Sequence, residues 1–339
     1  MTNGTRSHLN IHIGDGWSSR NEIVDCYKAL HSIVGGVTEE FQNKGIDFCN
    51  SETSVFEQME DSEVGNKFGG SLPVENVQQL ASTNLENIPH RYIRPEINPE
   101  DVISTDESSS QIPVIDMSKL ASDSSDYAQE MAKLHQACEE WGFFQLTNHG
   151  AAREIENMKA AAQDFFKLPL EEKMVYAQIP GGLEGYGQCF VTSEDQKLDW
   201  SDMFAVYTLP TIARNMSFWP NNPTSFRSNL ADYSRELDRI CISLYESMAT
   251  NLGCDFKEFM DMHQEMTQAI RMNYYPPCPQ ADKVVGFTPH SDGSQLTLLV
   301  QVNEVEGLQI CNNGKWIPVK PLPGAIIVNI GDAMEVSLF

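Results

Sequence analysis

RMNYYPPCPQADKVVGFTPHSDGSQLTLLVQVNEVEG, residues 271–307, is the stretch on which both the fold and the chemistry turn. At its centre His290 and Asp292 stand one residue apart. Behind them Leu296-Thr297-Leu298-Leu299-Val300 is rich in strand formers. In an extended segment residues i and i+2 point to the same side. An imidazole and a carboxylate at this spacing can therefore reach one ion together from a strand end. Two imidazoles and one carboxylate with open positions form the usual donor set for non-haem Fe(II), and this stretch offers two of the three. His-x-Asp by itself is short, however, and its ordinary reading is a pair of polar loop residues.

The surroundings overturn the ordinary reading. Arg271-Met272-Asn273-Tyr274-Tyr275, then Pro276-Pro277-Cys278-Pro279, Gly286, the His-x-Asp, and Glu306-Gly307-Leu308-Gln309 together resemble the plant 2-oxoglutarate- and Fe(II)-dependent dioxygenases. The resemblance implies Fe(II) held by His290, Asp292 and a distal His, with 2-oxoglutarate as cosubstrate and O2 taking the remaining position. Asn273 and Tyr275 match the Asn-x-Tyr pair that hydrogen-bonds the chelating end of 2-oxoglutarate. An ordinary strand-end role for Asn273 is the competing reading.

One departure stands out. The family pattern holds through Asn329-Ile330-Gly331-Asp332-Ala333-Met334-Glu335-Val336 and stops at Ser337-Leu338-Phe339. The family's turn, its strand with the distal His, and its Arg-x-Ser clamp on 2-oxoglutarate have no match, and no His follows His290. Glu335 and His263 are poor substitutes for the third ligand. Read this way the chain is C-terminally truncated, should bind iron weakly, and should show little dioxygenase activity.

Composition narrows the alternatives. A chain of 339 residues can bury a substantial core, and 41% hydrophobic residues is ordinary for a globular protein. No run of 18 apolar residues exists, so a membrane span is not expected. The start, MTNGTRSHLNIHIGDG, lacks a basic and then apolar leader, so a cytoplasmic location is expected. A net charge of −25 argues against nucleic-acid or anionic-membrane binding. The eight cysteines contain no Cys-x-x-Cys, and free thiols are expected.

Along the chain, residues 1–58 show weak periodicity and precede the recognisable family sequence, which begins near Met59 and is clear at Gly69-Gly70-Ser71-Leu72-Pro73-Val74. They are expected to be a disordered, dispensable extension, although residues 23–41 have a short amphipathic pattern. Residues 59–111 read as an arm and a polar linker. Residues 112–252 read as a helix and strand region, with helices over 126–140, 155–166 and 226–252. The last carries Leu230, Tyr233, Leu237, Ile240, Leu244 and Met248 at helical spacing. His149, in Asn148-His149-Gly150, reads as structural. Gly181-Gly182-Leu183-Glu184-Gly185-Tyr186-Gly187 lacks the Lys-Ser/Thr of a phosphate loop.

Residues 265–339 change to short strands, with Asn312-Asn313-Gly314 as a tight-hairpin signal. Helices followed by strands predict an α+β fold: a double-stranded β-helix (jelly roll) with N-terminal and flanking helices. Its core is read as incomplete, with C-terminal barrel strands missing and ladder edges exposed beside residues 325–330.

Tyr186, Phe204 and Tyr207 are candidate substrate-pocket residues, with core packing an equal account of each. The implied activity is hydroxylation, demethylation or desaturation of a small, aromatic or alkaloid-like plant metabolite by a monomeric enzyme. The segments Gly-Gly-Ser-Leu-Pro-Val-Glu-Asn-Val and Asn215-Met216-Ser217-Phe218-Trp219-Pro220 look most like the alkaloid-pathway branch, O-demethylases and a norcoclaurine synthase-like member. The alternatives are a norcoclaurine synthase-like condensation and a catalytically dead truncated product.

Overall fold

The computed structural model describes residues 8–14, 71–83, 87–95, 112–188, 190–191, 193–261 and 267–338. Its helical layer follows directly from apolar spacing. Helix α1 (Val77–Ser82) lies in the arm. Helix α2 (Tyr127–Trp141) buries Met131, Leu134 and Ala137, and stops at Gly142, whose φ of 58° is the left-handed cap that glycine adopts without penalty. Helix α3 (Ala152–Lys167) buries Ile155, Met158, Ala162, Phe165 and Phe166, and the short α4 (Leu170–Met174) follows. The long α5 (Phe226–Leu252) buries Leu230, Tyr233, Leu237, Ile240, Leu244 and Met248, then ends at Gly253; α6 (Phe256–Asp261) packs behind it.

The strands are β1 (His8–Gly14), β2 (Val114–Asp116), β3 (Phe143–Thr147), β4 (Gly185–Gly187), β5 (Asp202–Leu209), β6 (Gln268–Tyr275), β7 (Leu296–Gln301), β8 (Gln309–Asn312), β9 (Lys315–Pro318) and β10 (Ile326–Ile330). Eight of them form one sheet in the order β2-β3-β10-β7-β1-β6-β5-β4, and β8 pairs with β9 in a second. Asn313 and Gly314, at φ 51° and 74°, make the expected two-residue hairpin between β8 and β9. A last helix, α7 (Asp332–Leu338), follows β10.

Strand alternation gives the large sheet two different faces. Ile270, Met272, Leu298, Val300, Ile326 and Val328 join the side chains of α2, α3 and α5 in the main core. On the other face Phe143, Leu299 and Ile327 cluster with Ile112 and Val319, with Leu308 and Ile310 packed against them. A third cluster ties Val77, Ile88 and Tyr92 of the arm to Val191, Leu198, Trp200 and Cys278.

Two expectations need correction. Residues 8–14, expected to be part of a disordered extension, form β1 within the sheet. The physical reason lies in HLNIHIG itself, which alternates polar and apolar residues with the period of a half-buried strand. The other expectation placed exposed ladder edges beside residues 325–330. Strand β10 instead lies between β3 and β7 and is paired on both sides. The amphipathic pattern at residues 23–41 falls outside the described residues, as does His263. Among the described residues, Cys138, Cys241, Cys254, Cys278 and Cys311 are free thiols, and no helix is long and apolar enough to cross a membrane.

Candidate active site

His290 and Asp292 lie in the loop between β6 and β7, and the structure brings them together: Nε2 of the imidazole is 3.3 Å from Oδ1 of the carboxylate. Each is fixed from behind. His290 Nδ1 lies 2.8 Å from the Thr288 carbonyl oxygen, which can only accept, so Nδ1 carries a proton; the Nε2 contact with Asp292 is a hydrogen bond when Nε2 is protonated as well, and loss of that second proton leaves a lone pair on the same side. Asn329, on β10, donates through Nδ2 to Asp292 Oδ2 at 2.7 Å. Oδ1 is thereby the carboxylate oxygen turned to the imidazole. With side chains 36% and 25% exposed, the pair is reachable by an ion from solvent.

The loop's backbone is held as firmly. Asp332 N–H donates to the Asp292 carbonyl at 2.7 Å, Gly331 N–H to the Gln295 carbonyl at 2.9 Å, and Ser291 Oγ to Asp332 Oδ2 at 2.8 Å. The approach is so close that a Cβ on Gly331 would lie 1.9 Å from the Ser294 carbonyl oxygen, so only glycine fits there. From the other side Asp199 accepts from the Thr288 amide (3.0 Å) and hydroxyl (2.5 Å), and from Arg94 of the arm (3.3 Å). Trp200 N–H donates to the Val285 carbonyl and its indole to that of Pro276.

These contacts set the charge states. Burial works against the His290 imidazolium, but the hydrogen bond and charge of Asp292, with the Thr288 carbonyl, leave its pKa above the ordinary histidine value. Burial alone would raise Asp292; hydrogen bonds from His290, Thr297 and Asn329 outweigh it and hold the carboxyl well below the usual range.

A second group of side chains extends the site along β6. Asn273 is 1% exposed; its Oδ1 accepts from Arg271 Nε at 2.6 Å, while its Nδ2 is buried with no hydrogen-bond partner among the described residues. The Arg271 guanidinium lies 4.4 Å from the centre of the Phe287 ring, and that ring lies 4.2 Å from the His290 imidazole. The Tyr275 ring packs where a side chain on Gly286 would stand, 2.7 Å from its Cβ position. Burial raises the Tyr275 phenol well above its ordinary pKa, so it stays a neutral O–H.

Similarity to known proteins gives the family. The family described as "non-haem dioxygenase in morphine synthesis N-terminal" matches residues 112–222, and the 2OG-Fe(II) oxygenase superfamily matches residues 266–338. This chain belongs to the 2-oxoglutarate/Fe(II)-dependent oxygenases. Its similar relatives include S-norcoclaurine synthase 1 of Coptis japonica, 50% identical over 79% of this chain and 76% of that one. Oxoglutarate-dependent flavonoid 7-O-demethylase 1 of Ocimum basilicum is 48% identical over 79% and 71%. The crystal structure of JOX2 in complex with 2OG, Fe and JA superposes with a TM-score of 0.70 at 34% identity, covering 78% of this chain and 75% of that one. The fold is therefore the jelly roll of the oxygenases, and the protein is an oxidoreductase whose cofactors are Fe(II) and 2-oxoglutarate.

The residues present fit those groups as far as the described chain extends. His290 Nε2 and Asp292 Oδ1 converge as two donors, and the orphaned Nδ2 of Asn273 is a buried donor suited to a carboxylate or keto oxygen. Among the described residues no cluster of three His, Cys, Asp or Glu forms, and Glu335 is exposed on α7. Two of the expected substrate-pocket residues belong elsewhere. Tyr186 and Phe204 are in the main core, with their rings 6.1 and 4.9 Å from that of Phe165. The reason is parity: Phe204 pairs with Met272, on the helix-covered face. Tyr207 pairs with Ala269 and so shares the face of Arg271 and Asn273, as do Met203 and Ala205. His149, read as structural, is buried, with Nε2 2.9 Å from the Gly324 carbonyl and Nδ1 accepting from Ala151 N–H.

Sequence reasoning missed Asn329, Asp199 and Arg94. A polar residue inside the apolar run Ile326-Ile327-Val328-Asn329-Ile330 was the available signal for the first. Asp199 and Arg94 lie about ninety and two hundred residues from the loop they hold, and nothing local marks them.

Proposed function

We propose that His290 and Asp292 are protein ligands to Fe(II), that Asn273 and Tyr275 hydrogen-bond 2-oxoglutarate, and that the substrate is an aromatic or alkaloid-like methyl ether or related metabolite. The observation that carries this reading is the convergence of His290 Nε2 and Asp292 Oδ1 at 3.3 Å, each locked from behind, and joined through Phe287 and Arg271 to Asn273, whose Nδ2 is unpartnered among the described residues. Bound there, Fe(II) supplies oxygen activation at the expense of 2-oxoglutarate. The chain's own residues orient the two groups: Thr288 fixes the imidazole tautomer, Asn329 turns the carboxylate, and Arg271 holds the Asn273 carboxamide so that its N–H faces the cosubstrate. Tyr207, Met203 and Ala205 share the face on which a substrate would rest. The protein works as a cytoplasmic monomer. The named relatives support the substrate class: codeine O-demethylase and thebaine 6-O-demethylase of Papaver somniferum are each 42% identical, beside the flavonoid demethylase.

The 50% identity to S-norcoclaurine synthase 1 favours a second reading, condensation of an aromatic amine with an aldehyde. Stoichiometry separates the two. The purified protein is incubated with Fe(II), 2-oxoglutarate and O-methylated alkaloids or flavonoids, and succinate is counted against product. Oxidation gives one succinate per product and is abolished by Asp292→Ala. Product from amine and aldehyde without succinate, unaffected by Asp292→Ala, would select condensation.

A further inference from the structure

Residues 198–200 lie between the arm and the loop that carries His290, and are tied to both. Leu198 N–H donates to the Arg91 carbonyl at 2.8 Å on one side, and Trp200 N–H to the Val285 carbonyl at 2.7 Å on the other. Gln188 Nε2 donates to the carbonyls of Asp199 and Ser201, at 3.4 and 3.0 Å. Leu198 and Trp200 are buried in one cluster with Ile88 and Tyr92 of the arm, and the Tyr92 ring meets Trp200 edge-on at 5.2 Å. The arm also reaches the loop directly, through Arg94 N–H to the Lys283 carbonyl at 2.8 Å. Backbone bonds and packing thus fix where Asp199 stands, and its carboxylate is left to act on the loop.

Three donors converge on one oxygen of that carboxylate. Oδ1 accepts from the Thr288 amide at 3.0 Å, the Thr288 hydroxyl at 2.5 Å and Arg94 Nη2 at 3.3 Å, and the same Arg94 nitrogen donates to the Thr288 hydroxyl oxygen. Bonds to a charged acceptor are roughly twice as strong as neutral ones, so Thr288 is gripped twice, by its main chain and its side chain. The next residue is Pro289, whose ring disfavours the helical region for Thr288 and locks its own φ. Little freedom then remains between Thr288 and His290, and the Thr288 carbonyl, 2.8 Å from Nδ1, sets the ring. The Phe287 ring packs 4.2 Å from the imidazole but offers no acceptor to Nδ1. We infer that Asp199 is a positioning residue for His290: its carboxylate holds Thr288, Thr288 holds the imidazole, and the arm, through Arg94, is a working part of the metal site. The metal half of this inference rests on the reading of His290 as an iron ligand; the orientation of the ring does not.

The test uses the full chain with Co(II) as the probe ion. The Co(II) dissociation constant is read from the visible absorption of the bound ion. The His290 tautomer is read by nitrogen-15 NMR of the metal-free protein, at a pH where the ring is neutral. Asp199→Ala should raise the dissociation constant about tenfold, the low end of what groups that orient a ligand contribute. The His290 ring should pass from the Nδ1–H tautomer to a mixture of the two. Asp199→Asn, which keeps an accepting oxygen, should restore part of both. Asp199→Ala combined with Thr288→Val should lose no more affinity than Asp199→Ala alone, because both changes break the same contact.

Wild-type affinity with a single tautomer in Asp199→Ala overturns the inference. Additive losses in the double variant overturn it too, since they would mean that Asp199 acts by a route other than Thr288. If Asp199→Ala does not fold, Asp199→Leu, which fills the space without an acceptor, takes its place and is read in the same way. If His290→Ala leaves Co(II) binding intact, the reading of His290 as a ligand fails and the metal half of the inference with it. The tautomer in Asp199→Ala then decides by itself whether Asp199 orients the ring.

Discussion

His290 does what its tautomer allows. With Nδ1 committed to the Thr288 carbonyl, Nε2 can act as a ligand without rearrangement, and the same logic makes Asn329 the residue that presents Asp292. Groups that orient a ligand in this way typically contribute 10–100-fold in metal affinity. Asn329→Ala is therefore predicted to weaken Mn(II) binding about 10–100-fold while the far-UV circular dichroism stays unchanged, both measurable on one preparation. A second prediction concerns Asp202, 1% exposed, which accepts from the Val77 and Gln78 amides at 2.8 and 2.7 Å and so caps α1. Burial outweighs those hydrogen bonds and pushes its pKa up to about 6. A carboxyl raised on folding gives stability that is complete below its unfolded pKa, about 3.9, and is lost as pH rises through about 6. The wild type should lose up to roughly 3 kcal/mol from this group between pH 4 and 7.5. Asp202→Asn, which cannot ionise, should lose correspondingly less in urea melts at the two values. At this scale the sequence was legible where spacing carries meaning: His290-x-Asp292 was read as two side chains reaching the same point, and the structure brings them together. It was not legible for Tyr186 and Phe204, because an aromatic ring suits a pocket wall and a core equally, and only the pairing of Phe204 with Met272 shows which face it takes.

Elements were readable in proportion to how much of their pattern is local. Helix α5 runs over the residues its apolar spacing specifies, and the Asn313-Gly314 turn joins β8 to β9. Strand β1 was not recognised, because seven alternating residues in a weakly patterned region are a small signal until the partners β6 and β7 are known. The junction after β10 shows how an element places chemistry. Gly331 lets the chain pass against the Ser294 carbonyl, so that the Asp332 amide reaches the Asp292 carbonyl. A side chain at 331 has no room. Gly331→Ala should destabilise the fold by about 2–3 kcal/mol, the upper range for overpacking, and should weaken metal binding together with stability. Thermal unfolding and a Mn(II) titration of the same variant check both; an unchanged Tm would show that the loop relaxes more freely than its packing implies.

At the scale of the whole molecule, one sheet gives one face to the core and turns the other toward the candidate site. The helix-covered face, with Leu298, Val300, Ile326 and Val328, makes the main core, and the other carries Arg271 and Asn273 beside the loop of His290 and Asp292. The arm completes the site from a distance, through the Arg94–Asp199–Thr288 cluster and the Trp200 hydrogen bonds. Removing the charge at Arg94 is accordingly predicted to loosen the 286–292 loop: Arg94→Ala should increase hydrogen exchange at the Thr288 amide while exchange in α5 is unchanged. The central claim is that Fe(II) and 2-oxoglutarate meet at His290 and Asp292. Its most direct measurement is an anaerobic titration of the full chain with Fe(II) and 2-oxoglutarate, following the visible charge-transfer band of iron chelated by a 2-oxo acid. The band is predicted to grow with the wild type and to be absent with His290→Ala and Asp292→Ala; a band of equal strength in both variants would contradict the assignment.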